Sequence, residues 1–529
     1  MSNHSRLFAF SLGREFKLSI AEIASVCGFS SIVETSPDLA VVRFRDREAA
    51  IAAFAKLGGS VRLFEIQSDC PFSEFLTKAT EYYRGKMVSD AKNSFALAYV
   101  GPNKPKLSEL ALRVKKFLKT GDLSIRACNV DDNTINAASF KKDHLSQTLL
   151  ETAILEIGKK SYFAVTLACQ DVDAFAARDL AKGRDMEVGM LPPKLARIMV
   201  NLTLGRGGAE AVSSPDRPKP VVYAPKRIYD PFCGLGTVLI EALDLGYKDV
   251  LGSDLSERMA ISTAEALEAP GDAAGAKYLT MTLDAKDVAS KPENFRGAAV
   301  VTEGYLGEIQ SAKSVSEDSV AEQKKILLPI YDGFFKGLRD LGYRGTTVMC
   351  VPFWEVRGKY VYFEEFFDVL KKYGFYSDSL LPKNFEFKST KFGSLLYKRQ
   401  GQTVGREIVR VVPGRGGPRE DSARSEDGFR KRDADFREPR REGAGSRDGG
   451  YPRRDSREGV YRQPREGGFG AARPSRPEGG FPRRDGDSFP RRSDDRRGGF
   501  GRTSGFPRRD GDGGRFDGGS RNFRDGGSR

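Results

Sequence analysis

The chain has 529 residues, 39% of them hydrophobic, and a formal net charge of +14, a length that favours at least two folded units. Two histidines, His4 and His144, argue against a Ser-His-Asp triad, a His-rich metal site or a histidine general base, and six scattered cysteines with no CxxC pair point to neither a zinc cluster nor a disulfide framework, so no metal is expected. No apolar run is long enough to span a bilayer and the N-terminus has no charged-then-apolar signal pattern, so a reducing cytoplasm is the expected location.

The charge is unevenly spread. Of 86 basic and 72 acidic residues, 30 and 21 fall in residues 413–529, which leaves 56 and 51 in a nearly neutral body. With so few histidines, chemistry in that body is expected to rest on carboxylates, backbone groups or a cofactor.

Residues 6–12 alternate as a strand does. Ser19 and Glu22 have capping-box spacing ahead of Ile23 and Ala24 and predict a helix start. A strand over 39–45, a helix from Asp46 to Gly58-Gly59 and a strand over 61–67 complete a β-α-β-α-β opening. Alternation continues with helix 73–84, strand 94–100, helix 107–119, strand 123–129, helix 143–157 and strand 162–169. Two short α/β units are thus expected in roughly the first 170 residues. Arg113, Lys115, Lys116 and Lys119 on the helix over 107–119, with Lys141 and Lys142 beyond, read either as a solvated face or as a phosphate-facing patch. A helix over 192–204 enters on Pro192-Pro193, with Leu195, Ile198, Met199 and Leu202 on one face. Residues 206–222 read as a loop, and from Lys226 to about residue 400 strands and helices alternate with parallel-sheet spacing.

Beyond Pro413 no hydrophobic periodicity survives. FPRRDGD occurs at 481 and again at 506, with FPRRSDD at 489 and YPRRDSR at 451. Such a segment cannot bury enough apolar surface to fold and is expected to be disordered. Its single aromatics among arginines suit unpaired bases and phosphates; a solubilising or a self-associating tail is the alternative.

The segment richest in chemistry runs from Arg227 to Ala242, RIYDPFCGLGTVLIEA. A strand ends in Asp230, a tight turn carries Gly234 and Gly236, and a helix begins at Thr237. The next strand ends at Asp254. Glycines let a ligand approach the backbone, the helix N-terminus offers N–H groups, and a strand-terminal acid suits a ribose diol. A third dinucleotide glycine and a Walker lysine are both missing, which favours S-adenosylmethionine over NAD or ATP.

DPFCGLGTVLIEA resembles motif I of amino-methylating class I methyltransferases, and more narrowly the THUMP-containing tRNA guanine-10 N2-methyltransferase family. LGGSVR from Leu57, SIR from Ser124, Arg178-Asp179, GMLPPKLAR from Gly189 and Asn201 resemble other parts of that family. The resemblance covers about residues 6–410. It implies a THUMP-like α/β RNA-binding region (1–175), then a Rossmann-like class I methyltransferase sheet (190–410), ahead of the tail (413–529). It implies that Asp230, Gly234 and Gly236 line the methionine part of the cofactor, that Asp254 holds the ribose and that Asp284 lies near the adenine amine. A helix N-cap is the other reading of Asp284.

The family's catalytic loop, Asp-Pro-Pro-Tyr or a close variant, is replaced here by AAVVTEGYLG from Ala298. Glu303 falls where the acid belongs, and Gly304 and Tyr305 replace the prolines. Glu303 is expected to accept an N–H of the target amine and Tyr305 to stack on the base. Glutamate is one methylene longer than aspartate, and two glycines are expected to loosen a loop that prolines would stiffen. The late stretch from Arg399 to Glu407 also resembles the family, with no chemistry assignable to Arg399, Arg406 or Glu407. The expected function is methylation of an exocyclic guanine amine in tRNA. The alternatives are methylation of DNA or protein, and a non-catalytic RNA-binding protein that keeps a cofactor fold.

Overall fold

Alternating apolar residues build the first strand, β1 (Arg6–Leu12), in which Phe8, Ala9 and Phe10 are wholly buried. The computed structural model describes residues 6–88, 91–119, 124–129, 132–145, 149–181, 190–205, 225–268, 275–308, 314–382 and 385–414. After β1 come α1 (Phe16–Cys27), β2 (Ile32–Thr35), β3 (Leu39–Phe44), α2 (Arg47–Ala55), β4 (Ser60–Asp69), α3 (Phe75–Arg84), β5 (Lys92–Val100), α4 (Leu107–Leu118), β6 (Ser124–Ala127), α5 (Ala137–Leu145), β7 (Leu149–Ile157) and β8 (Lys160–Cys169). Their strands make one eight-stranded sheet in the order β2-β3-β1-β4-β8-β7-β5-β6. The two expected α/β units therefore share a sheet, joined where β4 pairs antiparallel with β8.

Two predictions fail here for physical reasons. Of the helix expected over 143–157, residues 143–145 end helix α5 and 149–157 form strand β7, flanked by β5 and β8. Leu149, Ala153, Ile154 and Ile157 recur at helical spacing, while Glu151 and Thr152 between them are buried in the sheet, so the pattern mimics a helix. Ser19 and Glu22 do not cap a helix either, because α1 already runs from Phe16. Ser19 Oγ donates to the Gly59 carbonyl at 2.8 Å. The Glu22 carboxylate accepts the Gly58 and Gly59 N–H groups, both at 2.8 Å, and the Asn201 amide at 2.7 Å. Burial pushes the Glu22 carboxyl up to about 7 despite those bonds.

The second half follows α6 (Val172–Ala181) and α7 (Pro193–Leu202). It comprises β9 (Arg227–Asp230), α8 (Thr237–Asp244), β10 (Asp249–Asp254), α9 (Glu257–Glu268), β11 (Lys277–Thr282), β12 (Ala298–Glu303), α10 (Glu317–Asp340), β13 (Thr347–Val356), β14 (Lys359–Tyr362), α11 (Glu365–Lys372), β15 (Phe375–Asp378), β16 (Leu395–Tyr397) and β17 (Val404–Pro413). The main path of its sheet is β11-β10-β9-β12-β13-β17-β15, with β14 on β13 and β16 on β17. Strands β11 to β13 are parallel; β17 runs antiparallel to β13 and β15. This is the Rossmann-like sheet that the resemblance implies. Val300, Val301, Val348, Met349 and Cys350 on its central strands are fully buried.

The residues between the sheets lock them together. Arg178 and Arg197 donate through Nε to opposite oxygens of the buried Glu241 carboxylate on α8, at 2.7 and 2.8 Å. Phe16 packs edge-on against Phe387, with ring centroids 4.8 Å apart. The expected loop over 206–222 lies outside the described residues, as does the disordered tail expected over 413–529 except for Pro413, which ends β17, and Gly414. Among the described residues no helix is long and apolar enough to cross a membrane.

Candidate functional site

Strand β9 delivers Asp230 to the C-terminal edge of the second sheet, where the chain turns sharply. Gly234 and Gly236 have φ of 51° and 77°, the left-handed region that only glycine enters cheaply. The turn is closed by the Gly236 N–H donating to the Cys233 carbonyl at 2.8 Å, and α8 starts immediately after. A Cβ on Gly234 would meet nothing within 4 Å, whereas one on Gly236 would come within 3.0 Å of Thr263 on α9. Gly234 thus borders open space. Gly236 serves the packing beneath the turn and does not line the cavity above it.

That cavity has a volume of about 920 Å³. It lies outside the C-terminal ends of β9, β10, β11 and β12, where ligands bind in open α/β sheets. Asp230, Gly234, Asp254, Asp284, Glu303 and Tyr305 all line it, so six of the seven residues singled out from the sequence converge on one space. Met190 and Leu191 of the MLPPKLA segment line it as well.

Each acid is held differently. Asp230 is 2% exposed. Its Oδ1 accepts from Thr302 Oγ1 at 2.6 Å and from the Phe232 N–H at 3.1 Å. Burial pushes its carboxyl up to about 7, the two hydrogen bonds oppose this in part, and the nearby charges of Asp254 and Glu303 add to it. Asp254 accepts the Gly234 N–H on Oδ2 and the Ser256 N–H on Oδ1, both at 2.9 Å, so it also ties the glycine turn to the end of β10. Asp284 does cap a short helix, accepting the Lys286 N–H at 2.9 Å, and still lines the cavity. The helix-cap reading of that residue is the one the structure shows.

Glu303 ends β12 and is paired with Arg406 of β17, whose Nε donates to its Oε1. Sequence reasoning left Arg406 without a role. Tyr305 is 41% exposed at the cavity wall. The expectation of a loose loop is corrected. Gly304 is buried, and a Cβ there would come within 2.5 Å of the Tyr331 hydroxyl. That hydroxyl donates to the Tyr305 carbonyl at 2.7 Å, and Gln323 accepts the Glu308 N–H at 2.8 Å. Helix α10 therefore braces the loop that prolines do not stiffen, and glycine at 304 admits the brace.

Other residues of the site carried no sequence signal. Thr302 orients Asp230, Leu255 lies 72% exposed beside Asp254 on the cavity wall, and Gln402 and Thr403 close the cavity from the segment before β17. Among the described residues no group of His, Cys, Asp and Glu side chains is arranged to hold a metal ion.

The fold and this edge cavity define a Rossmann-like α/β architecture with a ligand-sized cavity outside the strand ends. No family model matches the chain. Over 80 residues, 15% of the chain, it is 40% identical to a tRNA (guanine(10)-N2)-dimethyltransferase of Methanothermobacter thermautotrophicus, and the match spans 18% of that protein's length. Among solved structures, TrmN from Thermus thermophilus is 16% identical with a TM-score of 0.42, over 78% of this chain and all of that one. A structure from Clostridium difficile 630 described as a possible methylase is 14% identical with a TM-score of 0.39, over 79% of this chain and all of that one. Structural likenesses of that degree say nothing about activity.

Proposed function

We propose that this chain transfers a methyl group from S-adenosylmethionine to an exocyclic amine of an RNA base, a guanine amine of tRNA. The observation that carries this reading is the convergence of Asp230, Asp254, Asp284, Glu303 and the open Gly234 turn on a single cavity. The cavity is near the upper end of the range for ligand pockets, with room for a nucleoside cofactor and a base.

The residues fit the cofactor by charge and by shape. A buried aspartate whose carboxyl is pushed up to about 7 gains a partner in a ligand ammonium, which is the role of Asp230. Gly234 offers a bare backbone to the methionine part. Asp254 uses one contact of each oxygen on the turn and keeps acceptor capacity for a ribose diol. Asp284 would accept from the adenine amine, and the exposed Leu255 would offer the ring an apolar surface. S-adenosylmethionine supplies, when bound, an electrophilic methyl group on a sulfonium. Glu303 accepts an N–H of the target amine and turns its lone pair towards that methyl, and its charge favours the nitrogen as it becomes cationic. Tyr305 covers the face of the base. Transfer would be direct: the nitrogen–carbon bond forms as the carbon–sulfur bond breaks, the neutral thioether leaves and the surplus amine proton passes to solvent, with no covalent enzyme intermediate.

RNA as acceptor is supported by the tRNA enzyme matched over 80 residues, by the resemblance of residues 1–175 to a THUMP-like RNA-binding region and by the arginine-aromatic repeats of the tail. A second reading, an RNA-binding protein that keeps a cofactor fold, draws on one observation: Glu303 is already engaged with Arg406. Mass spectrometry of RNA nucleosides from cells with and without the gene tests the choice. Loss of an N-methylated guanosine is expected without it; an unchanged nucleoside profile favours the second reading.

A further inference from the structure

The stretch from Arg399 to Glu407 is the one late motif that the proposed function leaves unused, and the fold gives one of its residues a place in the site. Arg406 lies on β17, opposite Pro352 of β13, while Glu303 at the end of β12 lies opposite Cys350 of the same strand. β13 thus brings together two residues far apart in sequence. Both line the cavity, with side chains only 5% and 14% exposed.

We propose that Arg406 is the positioning residue of methyl transfer, fixing the Glu303 carboxylate as the acceptor of the amine N–H. The inference rests on the functional reading above. Its physical basis is geometric. A glutamate has one more rotatable bond than the aspartate of the resembling family, so without an anchor its carboxylate samples several positions. A guanidinium is planar, always charged and already shaped for a carboxylate, so it removes that freedom at little entropic cost. Burial disfavours the charge on Arg406, but Glu303 more than restores it. A pair this deeply buried does not open readily, because each charge would be left uncompensated. Helix α10 already holds the Gly304-Tyr305 backbone through Tyr331. Backbone and side chain of the acceptor loop are thus fixed from two sides, by α10 and by β17.

The test is a double-mutant cycle in the full-length chain, with Arg406→Gln, Arg406→Lys, Glu303→Gln and the double Gln variant. Single-turnover methyl transfer to bulk tRNA is measured across RNA concentrations, with cofactor binding by calorimetry and melting temperatures alongside. Misplacing a reacting group by about 1 Å can cost about 100-fold, so Arg406→Gln should lower the transfer rate on that order, leave cofactor affinity unchanged and leave the RNA concentration dependence within about threefold. Arg406→Lys should recover part of the rate. In the Glu303→Gln background the same Arg406→Gln change should cost under about threefold, because its effect passes through the carboxylate. If Arg406→Gln does not fold, Arg406→Lys and the uncharged double variant still carry the comparison, since neither leaves a lone buried charge. Equal losses in both backgrounds, or wild-type transfer by Arg406→Gln, would overturn the inference while leaving the functional reading intact. A wild type that transfers no methyl group to RNA would overturn both.

Discussion

Asp254 and Asp230 show what single residues contribute. Asp254 is legible in the sequence because a strand-terminal acid some twenty residues past a glycine turn has a chemical reason to be there. Its bond to the Gly234 N–H is not legible, since it depends on the turn bending back over β10. Asp254→Ala should therefore weaken S-adenosylmethionine binding by about 1.5–3 kcal/mol, the cost of a lost charged hydrogen-bond partner. Calorimetry reads this directly, and unchanged affinity would remove Asp254 from the cofactor site. Asp230 makes a prediction in pH. Its carboxyl is raised from 3.8 to about 7 in the fold, so its contribution to stability is full below about pH 4 and is lost as pH rises through 7. A cationic cofactor has the opposite preference: it favours the ionised carboxylate. Cofactor affinity should rise with pH through about 7 and level off above it, with protons released on binding below that pH. Asp230→Asn should flatten that profile. The affinity measurement is the sharper one, because Glu22, also raised to about 7, gives the melting temperature a similar pH slope of its own.

Among the elements, the loop after β12 is where sequence and structure part most instructively. Glycine in place of proline suggested slackness. In the fold, Gly304 is the only residue type that fits beneath the Tyr331 hydroxyl, and that hydroxyl holds the Tyr305 carbonyl. The glycine turn at 234–236 was legible because its conformation is written in the residue type. The brace on Gly304 was not, because Tyr331 comes from a helix that nothing local connects to the loop. The Arg406 partner of Glu303 was hidden for the same reason, a register passed through β13. Strand β7 was misread because Leu149, Ala153, Ile154 and Ile157 recur at helical spacing and the polar Glu151 and Thr152 are buried rather than solvent-facing. Gly304→Ala should lower the melting temperature and slow methyl transfer, since the tyrosine must move. Tyr331→Phe should cost about 0.5–1.5 kcal/mol of stability for one lost hydrogen bond and slow transfer further than the loss of stability explains. Wild-type transfer by both variants would show that the brace serves folding alone.

For the whole molecule, the pieces of sequence that carried the resemblance near the domain boundary turn out to hold the two sheets together. Arg178 and Arg197 grip Glu241, and Asn201 reaches Glu22. The order of elements from Lys226 onward was legible as an alternating α/β chain, but the joining of two units into one eight-stranded sheet was not, because it depends on β4 meeting β8 across about a hundred residues. The arginine-aromatic tail adds a term of its own. Removing residues 415–529 should reduce the slope of RNA affinity against salt concentration, because fewer counterions are released, and should leave the melting temperature of the remaining chain unchanged. An identical salt slope would mean that the tail does not contact RNA.

On the proposed function, the cavity at the C-terminal edge of the second sheet carries out methyl transfer to an RNA amine. The most direct test incubates the purified full-length chain with methyl-labelled S-adenosylmethionine and bulk tRNA, digests the RNA and identifies the labelled nucleoside. Label in an N2-methylated guanosine, reduced in Asp254→Ala at limiting cofactor and slowed in Glu303→Gln, is the expected result. Cofactor binding without label in any nucleoside would contradict the account.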